Sequence, residues 1–368
     1  MHQDLQSACD ALGISIPAIE AGHAYTQRIL PEAKLAAERS LAGRADLIPF
    51  VEDWANPPLD IIVHGSAARD ELSESSDFDY IIVVYDLLRT PELIPAFRKA
   101  ADDAREAITA NVPGTTGTFG GLVGASDLVD LIGLERDTNA NLTHRVLLLM
   151  ESRPLLSVDR HRDLLLVTLQ RYLYDYRKKA KRGVPRFLLN DVVRYWRTIA
   201  VDYQAKRWRD MGEAGWGVRY IKLRSVRKLA FAGTLMSLFM PHITGSLVTP
   251  DFLLEQFSLP PLARLSRVTH QLEMKGEAAE HLRSILILAN GFAEKFSDEA
   301  FRNQLATVTG LDSAFDDPTF ADAHADTEKL QRHLECLFGS AEPLLDAPAL
   351  RDGTALTLAW LSSRYLWF

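Results

Sequence analysis

Apolar and polar positions recur with different periods along the chain, and the change of period separates three regions. Residues 1–50 predict helices, because apolar side chains recur at helical spacing and Pro17 and Pro31 stand where two helices would begin. Two short β-branched runs follow at 59–64 and 80–85, and such runs predict buried strands. A segment that contains strands therefore follows a helical start.

Helical spacing returns after the second run and dominates the rest of the chain. Residues 91–110 predict an amphipathic helix, and 128–132 predict a third strand. From residue 142 onward the pattern is helical, most clearly over 186–209 and 218–240. We therefore predict an α+β protein, in which a small α/β core with a mixed sheet lies between N-terminal helices and a larger all-helical C-terminal domain. The predicted boundaries are 1–50, 51–158 and 159–368.

The composition of the 368 residues is that of a globular protein, with 47% hydrophobic and 24% charged residues. Cys9 and Cys336 are the two cysteines, which excludes a disulfide framework and argues against a zinc site built from several cysteines. No apolar run approaches the length of about 18 residues that a membrane span needs, and the first residues lack the pattern of a signal peptide. We therefore expect a cytoplasmic protein without a membrane partner.

Charge is distributed unevenly along the chain. Residues 177–228 contain 16 basic and 4 acidic side chains, a local charge of +12, although the whole chain carries −8. The remaining residues therefore carry −20. Such segregation favours a surface that faces the phosphates of a nucleotide or a nucleic acid, the alternative being a solvated basic helix face.

The stretch between the first two predicted strands carries the candidate chemistry. The first strand ends at Gly65 and Ser66, ten residues follow, and Asp77 and Asp79 open the second strand. Because residues two apart in a strand face the same side, the two carboxylates converge while Phe78 points inward. Such a pair can hold Mg²⁺ (or Mn²⁺), which prefers oxygen ligands and is completed by water and substrate phosphates.

The other half of this stretch suits a phosphate chain. Gly65 has no Cβ, so its backbone can approach a phosphate closely. Ser66 offers a hydroxyl and an N–H, and Arg69 offers a planar cation that matches phosphate oxygens. The alternative interpretation of Asp77 and Asp79 is a turn that enters a strand.

This arrangement, Gly-Ser followed by Asp-x-Asp between two strands, resembles the signature of the DNA polymerase β-like nucleotidyltransferase superfamily. Within it, the chain is most similar to the nucleotidyltransferase group related to the N-terminal domain of bacterial protein-PII uridylyltransferases, because residues 147–155 resemble a leucine-rich helix there that ends in Glu-Ser-Arg. The resemblance covers residues 60–160 and implies a nucleotidyltransferase core that uses Mg²⁺ or Mn²⁺ and an NTP. The chain has no His-Asp dipeptide of the phosphohydrolase type, so only the transfer chemistry is implied.

Members of this superfamily usually add a third carboxylate from a neighbouring strand. Asp130 is our first candidate, because it is a lone acid inside the apolar run 128–132, where burial would be costly without a cation. Asp137 and Glu151 are the alternatives.

The superfamily also implies a cationic clamp for the β- and γ-phosphates, formed by a helical lysine near a serine. Lys222 and Ser225 lie on one helix face in a basic segment and are our candidates. A solvated basic face is the alternative interpretation.

The sequence thus predicts an enzyme that transfers NMP from an NTP to an acceptor hydroxyl and releases pyrophosphate. Asp77, Asp79 and Asp130 are the expected catalytic residues. The acceptor stays open between a protein, an RNA and a small molecule. The alternatives are a cyclic-oligonucleotide synthase and a catalytically silent module that senses nucleotides or binds a partner.

Overall fold

The computed structural model describes residues 1–42, 44, 46–47, 56–86, 90–108, 119–179, 183–209, 215–272 and 276–366. The strands in this part of the chain are β1 (Leu59–His64), β2 (Tyr80–Val84), β3 (Leu122–Gly124) and β4 (Ser152–Pro154). The α-helices are α1 (Gln3–Leu12), α2 (Pro17–Ala42), α3 (Gly65–Arg69), α4 (Thr90–Ile108), α5 (Ala125–Val129), α6 (Asn139–Met150), α7 (Val158–Tyr172), α8 (Tyr174–Lys179), α9 (Arg186–Arg209), α10 (Trp216–Lys222), α11 (Lys228–Ile243), α12 (Pro250–Phe257), α13 (Pro261–Ser266), α14 (Glu277–Ser297), α15 (Glu299–Thr307), α16 (Leu311–Ala314), α17 (Pro318–Phe338) and α18 (Leu358–Tyr365).

Packing divides the chain into two units. The sheet unit comprises Ala21–Tyr174, and the helical unit comprises Met1–Glu20 together with Asp175–Phe368. The predicted domain boundaries near residues 50 and 158 stay a sequence-based division. The predicted fold class is confirmed, because a small mixed sheet near the N-terminus is followed by many helices.

The sheet has the strand order β3-β2-β1-β4. β1 is antiparallel to both neighbours, with Val63 opposite Tyr80 in β2 and opposite Arg153 in β4. β3 is parallel to β2, with Ile82 opposite Leu122. The strand that ends at the Gly-Ser pair is therefore an inner strand with partners on both sides.

The two faces of β1 differ in chemistry although every residue of the strand is buried. Its odd-numbered residues join an apolar cluster with β2, α2 and α4: Leu59, Ile61 and Val63. The opposite face carries Asp60, Ile62 and His64. The Asp60 carboxylate accepts hydrogen bonds from the backbone N–H groups of Ile61, Leu156 and Ser157 at 2.7, 3.1 and 3.1 Å. Burial nevertheless raises the pKa of Asp60 to about 7.

The prediction of two helices opened by Pro17 and Pro31 is wrong for the second one. Pro31 lies inside the single long helix α2. A stripe of apolar residues spaced four apart runs past it into the core: Ile29, Ala33, Ala37 and Leu41. Burial of this continuous stripe offsets the hydrogen bond that proline removes from the helix.

The predicted strand at 128–132 is also wrong. Leu128 lies in α5, and Asp130 is its exposed C-cap. Leu128 and Ile132 are the buried positions, and their spacing of four is helical rather than that of a strand. The third strand lies earlier, at Leu122–Gly124.

The helical unit follows the predicted pattern closely. The run 186–209 is α9, and 218–240 falls within α10, a π-helical segment at Leu223–Arg227, and α11. A 3₁₀ segment at Arg267–Leu272 continues α13. Among the described helices, none is both long and apolar enough to cross a membrane.

Candidate active site

The structure brings the two halves of the predicted motif together. Gly65 follows β1 with a φ of +62°, a conformation that side chains disfavour. A Cβ at this position would lie 2.9 Å from Oδ2 of Asp79. The backbone N–H of His64 also donates to the Asp79 carbonyl oxygen at 2.8 Å. The small residue after β1 therefore provides the space that the Asp79 carboxylate occupies.

The two predicted metal ligands stand directly before β2. Asp77 is exposed and Asp79 is half-buried, whereas Phe78 and Tyr80 are buried in the apolar cluster. This alternation turns both carboxylates away from the core, as the spacing of two predicts. The buried aromatic rings between and after them anchor the segment.

Ser66 lies in the short helix α3, where its carbonyl oxygen accepts the N–H groups of Asp70 and Glu71. Ser66 is half-buried. It directly follows Gly65, the residue that the Asp79 carboxylate adjoins.

Arg69, predicted to bind phosphate, holds two carboxylates in the structure. Its Nε donates to Glu71 at 2.7 Å and its Nη1 donates to Glu151 at 2.6 Å. Burial opposes the charge of Arg69, but the two carboxylates outweigh it and raise the pKa of the guanidinium. Burial raises the pKa of Glu71, although the charge of Arg69 opposes this rise. A direct contact of Arg69 with phosphate stays a prediction.

His64 is fully buried at the end of β1. Its Nδ1 lies 2.9 Å from the carbonyl oxygen of Glu151, which can only accept, so Nδ1 carries the proton. Burial lowers the pKa of His64 to about 4. The ring is neutral near pH 7 and links the end of β1 to the segment that follows α6.

Asp70 joins α3 to two further elements. It adopts a left-handed conformation with a φ of +62° and is buried. Its carboxylate accepts from Gln27 of α2 at 3.0 Å and from Arg153 of β4 at 2.5 Å, and His23 lies 3.5 Å away. These contacts fix the start of the loop that leads from α3 to Asp77.

The three candidates for the third carboxylate lie in different surroundings. Asp130 follows the carboxyl end of β3, which runs beside Val84, whereas Asp79 precedes the amino end of β2. Asp137 is buried in a two-bond ion pair with Arg145, at 2.7 and 3.0 Å. Glu151 contacts Arg69 directly. Of the three, Glu151 is the carboxylate that the structure brings to α3.

Asp77 and Asp79 fit a hard divalent cation in their chemistry. They offer carboxylate oxygens on one partly exposed side of the chain, and Mg²⁺ commonly combines one or two carboxylates with water and phosphates. Within the described residues, no group of three or more His, Cys, Asp or Glu side chains is arranged to hold a metal ion. Among the described residues, the ligands for such a site are therefore these two carboxylates.

The residues of the predicted phosphate clamp belong to the helical unit. Ser225 is fully buried inside the π-helical segment, and its hydroxyl donates to the Ile221 carbonyl oxygen at 2.6 Å. Lys222 is exposed, and its Nζ lies 5.7 Å from the ring centroid of Phe296. Their role as a clamp stays a prediction.

Sequence reasoning missed the residues that hold the loop in place. Glu71, Asp70 and Arg153 stand within or near the two quoted motifs, but nothing local indicates their partners. The contact of Arg69 with Glu151 spans 82 residues and that of Arg153 with Asp70 spans 83.

In the comparisons with known proteins, no family model matches the chain and no curated protein is significantly similar to it.

Proposed function

We propose that the chain is a metal-dependent nucleotidyltransferase that moves NMP from an NTP to an acceptor hydroxyl. The acceptor oxygen attacks the α-phosphorus in line and forms a new O–P bond. The bond from the α-phosphorus to the β-phosphate oxygen breaks, pyrophosphate leaves, and the hydroxyl proton passes to water. Such a reaction depends on positioning and charge stabilisation rather than on a covalent enzyme intermediate.

The observation that carries the proposal is the contact between Gly65 and Asp79. The site for the Asp79 carboxylate exists because residue 65 has no Cβ, which ties the glycine of Gly-Ser to the second acid of Asp-x-Asp. The superfamily resemblance supports the same conclusion.

Each residue has a distinct role in this proposal. Asp77 and Asp79 would hold Mg²⁺ or Mn²⁺, which when bound neutralises triphosphate charge and favours attack on the α-phosphorus. Ser66 donates its hydroxyl to a terminal phosphate. Glu151, through Arg69, positions α3.

Acidic side chains around α3 favour a bound cation. Glu71 and Glu151 face Arg69, and Asp77 and Asp79 lie directly before β2. A triphosphate beside carboxylates is repelled unless cations intervene. We expect the basic segment 177–228 to favour an acceptor or substrate with phosphates, and the acceptor to be a protein or an RNA.

The test is transfer of label from each of the four α-³²P-labelled NTPs with Mg²⁺ or Mn²⁺, alone and with cell lysate. We expect label on protein or RNA with the unmodified chain. Replacement of both acids (Asp77→Asn with Asp79→Asn) should lower transfer at least about 100-fold, because the metal would lose its protein ligands. Glu106→Gln is the matched control, since Glu106 is an exposed acid on α4 of the same unit.

Three outcomes would contradict the proposal. Label in a small cyclic product would identify a cyclic-oligonucleotide synthase. Nucleotide binding without transfer to any acceptor would identify a silent sensing module. Equal transfer by the double variant and the unmodified chain would show that the chemistry lies elsewhere.

A further inference from the structure

The helical unit contains a pair of histidines that the transfer chemistry does not use. His281 of α14 and His333 of α17 approach each other with 3.0 Å between their Nδ1 atoms. Their ring centroids are 5.3 Å apart and the rings are tilted by 51°, so the rings meet through these nitrogens and not by stacking. Both side chains are half-buried, which leaves the pair accessible from solvent.

At this distance one Nδ1 can donate its proton to the other in a hydrogen bond, and a metal ion can take the place of that shared proton. If both Nδ1 atoms carry lone pairs, the lone pairs repel each other, and a shared proton or a metal ion converts the contact into an attraction. Burial, together with His281 and Arg332, lowers the pKa of His333. Neutral imidazole is the form of histidine that ligates metals.

We propose that His281 and His333 form a two-histidine site for a late first-row divalent metal ion, with Cu²⁺ and Ni²⁺ preferred over Zn²⁺. Metal–imidazole bonds are about 2.0–2.1 Å long. Two nitrogens 3.0 Å apart then subtend an angle of about 94° at the metal. This is close to the angle of about 90° between neighbouring ligands of square-planar and octahedral sites.

A tetrahedral Zn²⁺ fits the same pair less well. At the same bond length, tetrahedral geometry requires about 3.3 Å between the two nitrogens, about 0.3 Å more than the pair shows. The shorter distance therefore favours metals whose neighbouring ligands meet at about 90°.

The surroundings supply water and negative charge. A cavity of about 420 Å³, lined by Gly276, Glu277, Glu280 and His281, opens beside His281. Glu277 precedes His281 by one helical turn and shares its face. Since the described residues hold no third ligand in place, water completes the coordination and the carboxylates offset the charge of the metal and of nearby Arg332.

The test is thermal unfolding of the full chain with Cu²⁺, Ni²⁺ or Zn²⁺ alone as the probe. At about 100 times the dissociation constant, Cu²⁺ and Ni²⁺ should raise Tm by about 5 °C, with a smaller rise for Zn²⁺. The control is His281→Gln with His333→Gln, which keeps the other eight of the ten histidines. This variant should lose the rise in Tm.

A second measurement does not depend on the variant folding. Electron paramagnetic resonance of the unmodified chain with one equivalent of Cu²⁺ should show hyperfine coupling to two imidazole nitrogens. A spectrum without this coupling would overturn the proposal. So would equal rises in Tm for the unmodified chain and the double variant, or a larger rise with Zn²⁺ than with Cu²⁺.

Discussion

Gly65→Ala should destabilise the sheet unit by about 2–5 kcal/mol, for two reasons that add. At a φ of +62° an alanine loses about 1–2 kcal/mol relative to glycine. Its Cβ would also lie 2.9 Å from Oδ2 of Asp79, so the carboxylate must move out of its place. Displacing a packed group of this kind costs about 1–3 kcal/mol. Urea unfolding, with hydrogen exchange of the β1 and β2 amides, measures the change.

Two further variants separate the backbone contribution from the contact. Gly120→Ala is the matched control, because Gly120 has a φ of +77° but a methyl group there would meet no described neighbour within 4 Å. It should cost only about 1–2 kcal/mol. In an Asp79→Ala background, Gly65→Ala should lose its excess over this control. If Gly65→Ala costs no more than Gly120→Ala, the carboxylate does not lie against Gly65 and the proposed site loses its basis.

Two other perturbations test the framework around the site. Asp137→Ala removes the carboxylate from the fully buried Arg145 and should cost about 3–5 kcal/mol in urea unfolding, whereas exposed Asp130→Ala should cost less than about 0.5 kcal/mol. His64 has a pKa of about 4 in the fold and 6.5 as its ordinary value, so the unfolded chain takes up the proton first as pH falls. The stability due to neutral His64 is complete above pH 6.5 and is lost towards pH 4, by up to about 3 kcal/mol. His64→Gln should flatten this part of the pH profile, and an unchanged slope would refute the assignment.

The inner strands and the motif between them were predictable because their signals are local. The runs 59–64 and 80–84 are β-branched and buried at every position, which leaves little choice of structure. The Gly-Ser and Asp-x-Asp groups lie at the ends of these strands, so pairing β1 with β2 brings them together. Chain order and strand pairing alone therefore bring the two halves of the candidate site together.

Features that depend on distant partners were not predictable. The apolar run 128–132 is short enough to fit a strand or a helix. In the structure Leu128 lies in a helix, because packing against neighbouring elements favours helical spacing there. β4 has three residues and exists because β1 offers it an edge. Glu151 becomes part of the site only through Arg69, and no local pattern ties a glutamate to an arginine 82 positions away.

The polar residues of β1 have a consequence for how the strand aligns with its neighbours. One face of β1 carries only aliphatic side chains, and the other carries Asp60 and His64 together with Ile62. A slip of one residue would exchange the faces and push an acid and an imidazole into the aliphatic layer against α2 and α4. It would also remove the hydrogen bonds that the Asp60 carboxylate accepts from the backbone N–H groups of Leu156 and Ser157. Asp60 thus fixes the register of β1 near the start of the strand. This register determines which residue at the end of the strand faces Asp79.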